Sequence, residues 1–73
     1  MHTLKEQALA EELAERLHDW NSISLYLTFT KRYTEAHLRE VLEKVMSIPD
    51  EKIKRTRGAL FTYLIKQHES YHR

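Results

Sequence analysis

The chain has 73 residues, a formal net charge of +1, 41% hydrophobic and 32% charged residues, and no cysteine. A chain of that length holds one domain at most, with a thin stability margin because short chains bury a small share of their surface. Disulfide staples, cysteine-based zinc sites and thiol catalysis are excluded together, and no apolar run exceeds three residues (Tyr63-Leu64-Ile65 is one), far short of a membrane span.

Helices joined by short polar connections suit a chain with one glycine, Gly58, and one proline, Pro49. The start, Met1-His2-Thr3-Leu4-Lys5-Glu6, moves straight into acidic residues and is not expected to be a signal peptide. With no redox marker, a cytoplasmic location is the default expectation.

The first helix is expected over residues 4–18. Thr3 and Glu6 form a capping-box pattern, and Leu9, Leu13 and Leu17 recur beside Ala10 and Ala14 as an apolar stripe. Leu4 falls off that stripe, so the first turn is expected to fray. Asp19 or Asn21 can cap the next element, and Trp20 at the junction reads as a lid on the core.

Residues 22–32 satisfy two patterns. Ile23, Leu25, Leu27 and Phe29 alternate like a strand, while Ile23, Tyr26, Leu27 and Thr30 share a helical face. A lone strand finds no partner in this chain, so a helix is expected, apolar nearly all round and central to the core. An intermolecular sheet in a dimer is the alternative.

Thr34 caps a third helix over 35–47, with Leu38, Val41, Leu42 and Val45 facing inward and Glu35 in the first turn. Pro49 disfavours helical geometry at Ile48 and ends it. Residues 49–56 read as a charged connection, with a turn starting at Asp50 and Ile53 as its only apolar anchor. Thr56 caps the last helix, 57–68, whose apolar face is Leu60, Phe61, Leu64 and Ile65. The expected fold is therefore all-α, a compact bundle of four short helices in a single domain, 1–73.

Charge is unevenly spread. Residues 1–20 carry −3, residues 21–51 carry −1, and residues 52–73 carry +5. The positive end centres on Lys52, Lys54, Arg55 and Arg57, just before or at a helix start, with Gly58 next and Lys66 further along. Unpaired N–H groups and the positive dipole end attract phosphate there. Arginine adds paired hydrogen bonds, and glycine lets a backbone or a phosphate come close. These six residues are the candidate nucleic-acid contacts. The bland readings are a solvated surface loop, pairing with the acidic first helix, or an acidic protein partner.

Tyr63 and Tyr71 are the aromatic candidates for stacking on unpaired bases; the other aromatics lie on or beside core stripes. His68 and His72, four residues apart, could share a helix face, but two ligands fall short of a structural zinc site, so no metal and no cofactor are expected. His18 with Asp19 and His37 beside Glu40 read as surface or cap residues. Paired carboxylates such as Glu11 and Glu12 fall on a charged helix face, and neither a glycine-rich phosphate loop nor a nucleophile elbow is present. An enzyme is not expected, nor a small-molecule substrate.

The stretch Lys54-Arg55-Thr56-Arg57-Gly58-Ala59-Leu60-Phe61-Thr62-Tyr63-Leu64-Ile65-Lys66 resembles a closing helix of small helical modules in bacterial, plasmid and phage replication proteins. In those modules a basic turn leads into a short glycine-alanine-aromatic-leucine helix, and the helix rhythm from Leu17 to Ile48 is compatible with them. The resemblance implies a role beside DNA in replication or a mobile element, with Lys54, Arg55, Arg57 and Lys66 as contacts. The acidic first helix is not part of that pattern. From the residues themselves, two functions are expected: a nucleic-acid-associated accessory module, or else a protein-interaction adaptor or self-associating bundle that docks its acidic N-terminal surface on its basic C-terminal one.

Overall fold

The computed structural model describes residues 3–71, with side chains as far as Gln67. Four helices run in order: α1 Leu4–Arg16, α2 Ile23–Arg32, α3 Glu35–Met46 and α4 Arg57–Tyr71, with 3₁₀ turns at Trp20–Ser22 and Asp50–Lys52. No strand occurs among the described residues, so the ambiguous segment 22–32 is a helix. The expected all-α bundle of four short helices is the fold observed.

Local chemistry accounts for the ends of these helices. At α1 the capping box forms in full, Thr3 and Glu6 exchanging backbone-to-side-chain hydrogen bonds of 3.0 Å. The first turn is therefore held rather than frayed, although Leu4 lies 88% exposed. The backbone N–H of His37 donates to the Thr34 hydroxyl at α3, and that of Ala59 to the Thr56 hydroxyl at α4. α1 stops through a Schellman turn: the N–H of Asp19 reaches the Ala14 carbonyl at 2.8 Å and that of His18 reaches Glu15 at 3.2 Å. The turn needs a left-handed residue, and His18 supplies it at φ 53°. The 3₁₀ turn after it leaves Trp20 52% exposed, so it is no lid on the core.

Leu9, Ala10, Leu13, Ala14 and Leu17 of the first helix and its cap meet Tyr26 and Phe29, Leu38, Val41, Leu42 and Val45, and Phe61 and Ile65 in one core. The small side chains of Ala10 and Ala14 permit close approach, and α1 packs along α2 while α3 packs along α4. Rings tie the two pairs together: Phe61 of α4 meets Tyr26 edge-on at 6.0 Å and Phe29 at 6.3 Å. α2 is less enclosed than its composition suggests. Ile23, Leu25 and Leu27 are only partly buried, because the other helices cover the Tyr26–Phe29–Thr30 side.

Candidate functional site

The basic segment comes after the second 3₁₀ turn, where Ile53, half-buried, anchors the connection between α3 and α4. Lys52, Lys54 and Arg55 around it are exposed. Together with Ile53, Thr56, Ala59, Leu60 and Tyr63 they line an open groove of about 370 Å³ along the start of α4. Tyr63 is 60% exposed. Lys66 does not line the groove; it lies three residues beyond Tyr63 on α4 and is exposed. Among the described residues none of Lys52, Lys54, Arg55 and Lys66 forms an ion pair.

Two of the six expected contact residues are engaged inside the fold. The Arg57 guanidinium donates to the Val45 carbonyl at 2.6 Å and to the Asp50 carboxylate, and its side chain is 17% exposed. It thus adds a charged donor to a carbonyl in the last turn of α3 that also accepts from the Ile48 N–H at 3.3 Å, and helix C-termini favour cations. Gly58 is buried: a Cβ added there would lie 2.5 Å from Asp19 Oδ2 and 2.8 Å from the Tyr26 hydroxyl. The close approach that glycine allows is made by the protein itself.

Nor does the acidic first helix neutralise the groove, since its ion pairs run to α3. Arg39 forks onto both oxygens of Glu12 at 2.9 and 3.0 Å and binds Glu35 one turn away at 2.9 Å. Arg16 donates to Glu43 at 3.2 Å, and Lys5 lies 3.5 Å from Glu35. The hydrogen bond from Arg39, with its charge and that of Arg16 adding to it, holds the Glu12 carboxyl below the usual glutamate range against a smaller desolvation effect. Arg39 likewise lowers Glu35, with Lys5 adding to it.

Chemically, the groove can hold an anion and present a ring, and among the described residues neither a histidine nor a carboxylate lines it. Its apolar lining by Ile53, Ala59 and Leu60 lies outside the residue set expected from sequence. The one sequence signal for it was Ile53, standing alone among charges. A second, more open cleft shares Ile53, Arg55 and Thr56 with this groove and is lined also by Leu17, His18, Asp50 and Arg57. No cluster of metal-ligating side chains occurs among the described residues. His72, the side chain of His68 and that of Tyr71 lie outside them, so the paired-histidine and Tyr71 readings have no structural account. No helix among the described residues is long and apolar enough to cross a membrane. No protein-family model, curated protein or solved structure matches the chain.

Proposed function

We propose that this protein is a small nucleic-acid-associated accessory module that holds phosphates of DNA or RNA on Lys52, Lys54 and Arg55, with Lys66 extending the surface along α4. The observation that carries this reading is the groove itself: three exposed cations, none with an acidic partner among the described residues, arranged around one opening. Charged side chains in that state attract the phosphate backbone and release its counterions on binding. Such contacts position a nucleic acid without reading its sequence. The resemblance of residues 54–66 to closing helices of replication modules favours a setting in replication or a mobile element. Arg57 and Gly58 drop out of the contact set and act by shaping the turn that displays the others.

The test is fluorescence anisotropy with labelled DNA and RNA oligonucleotides at low salt. Binding is expected to weaken about tenfold or more when Lys54→Glu and Arg55→Glu are combined, since two attractive contacts become repulsive. Absence of binding by the unaltered chain, or indifference to the double reversal, overturns the proposal. If light scattering then finds a salt-sensitive dimer, the surface serves association between protein chains instead.

A further inference from the structure

We propose that the groove accepts an unpaired nucleic-acid strand in preference to a duplex, with one base stacked on Tyr63 and the neighbouring phosphates on Lys52, Lys54 and Arg55. This rests on the phosphate-holding reading above and names the kind of nucleic acid that the site takes.

An aromatic side chain left 60% exposed contributes little to the fold, and Tyr63 is neither in the buried core nor among the partly buried residues packed on it. The ring pairs among the described residues join Tyr26, Phe29, Tyr33, His37 and Phe61, without Tyr63. Leu4 and Trp20, the other large apolar side chains with such exposure, do not line the groove. Tyr63 does, beside the apolar side chains of Ile53, Ala59 and Leu60. It shares the opening with Lys52, Lys54 and Arg55, which have no ion-pair partner among the described residues.

Ring and cations together discriminate between forms of nucleic acid. A duplex turns its phosphates outward and hides its base faces in the stack, so it could use the cations but would leave Tyr63 and the apolar lining without a counterpart. An unpaired strand offers both a charged backbone and free π-faces, and stacking on an aromatic side chain tolerates any base. The layout on α4 suits a strand that runs along one helix face. Ala59 and Tyr63 are four residues apart on that face, and Lys66 comes three residues later, so the strand would pass from the basic turn over Tyr63 toward Lys66.

The experiment compares a fluorescein-labelled single strand of mixed sequence, as DNA and separately as RNA, with a duplex of equal length. Each is titrated into the full chain, into Tyr63→Ala and into Tyr63→Phe. Because Tyr63 lies outside the core, circular dichroism is expected to show both variants folded like the parent. The expected result is tighter binding of single strand than of duplex. Tyr63→Ala should lose roughly tenfold for the single strand with little change for the duplex, the size typical of one stacked base. Tyr63→Phe should retain the affinity, as a ring suffices. Equal binding of single strand and duplex, with Tyr63→Ala indifferent, overturns the stacking inference and leaves the phosphate reading standing. Failure of all the nucleic acids to bind the unaltered chain overturns both. A difference between the DNA and RNA arms would say which strand the surface serves.

Discussion

At Gly58 the absence of a side chain lets α4 begin against the end of α1. Its φ is not positive, so glycine is there for space and not for backbone freedom. The neighbour that claims the space is a hydrogen-bonded pair: the buried Tyr26 hydroxyl donates to Asp19 Oδ2 at 2.9 Å. Burial, and then the Asp19 carboxylate, push the Tyr26 phenol well above its ordinary range, which keeps it a donor at all ordinary pH. Gly58→Ala would gain helix propensity of up to about 1 kcal/mol. The added methyl would lie under 3.0 Å from both groups and must displace the pair, and overpacking costs about 1–3 kcal/mol. Net destabilisation is expected in urea unfolding, and a midpoint equal to or above the parent's would contradict it. His18 makes the opposite prediction. A non-glycine residue in the left-handed region costs about 1–2 kcal/mol, partly offset because glycine loses more entropy on folding. His18→Gly should therefore stabilise the protein by about 0.5–1 kcal/mol, which thermal unfolding would register as a rise of a few degrees. Neither position shows these roles in the sequence. A lone glycine after a basic run looks like a phosphate-approach residue, and a histidine before an aspartate looks like ordinary surface.

The starts of α1, α3 and α4, in contrast, were legible. Thr3, Thr34 and Thr56 all cap as their positions suggest, because capping depends on residues no more than three apart. The clamp between elements was not legible. Arg39 joins α1 to α3 through Glu12, 27 positions away, and nothing in either helix alone selects that partner. Its chemistry predicts a pH dependence. Folding lowers the carboxyl pKa of Glu12 and Glu35, so both contribute stability that is fully present above the ordinary glutamate value of 4.5 and lost as pH falls through the lowered folded values. Thermal midpoints should hold from neutrality to about pH 5 and decline below it. Glu12→Gln should lower the midpoint modestly at pH 7, as expected of partly exposed pairs, with the gap to the parent narrowing toward pH 3. A gap that stayed constant across that range would show the clamp to be energetically silent. α2 shows a different limit. Its alternation fits strand and helix alike, and what excludes the strand is the lack of any partner strand among the described residues.

Across the whole molecule, the fold divides the charges into paired and unpaired sets among the described residues. Ion pairs of both polarities, Glu12–Arg39, Arg16–Glu43 and Lys5–Glu35, link α1 to α3, while Lys52, Lys54, Arg55 and Lys66 have no ion-pair partner among the described residues. That division has a measurable consequence under the proposed function. With three or four phosphates neutralised, the logarithm of the binding constant should fall against the logarithm of salt with a slope of about −2 to −4. Titrations between 50 and 200 mM salt would check it. A slope near zero would point to binding without phosphate contacts. The expected slope comes from the free cations alone; counting Arg57 would overstate it, since that side chain already holds Val45 and Asp50.

By itself the sequence determined the helical class, the four elements, the threonine caps of α1, α3 and α4, the inward face of those three helices, and the concentration of positive charge near residue 55. These come from periodicity and from contacts within one or two turns, which local chemistry dictates. Neither Asp19 nor Asn21, the expected caps of the second element, caps α2 with its side chain. Tertiary structure decided which of those cations have no partner among the described residues, since Arg57 is claimed by a carbonyl of a different helix, and it placed Gly58 against Asp19 and Tyr26. It also decided that Tyr63 and Ile53 share a groove with Lys52, Lys54 and Arg55. Such pairings depend on how helices cross after the core has closed around Phe61, and no local pattern encodes that geometry.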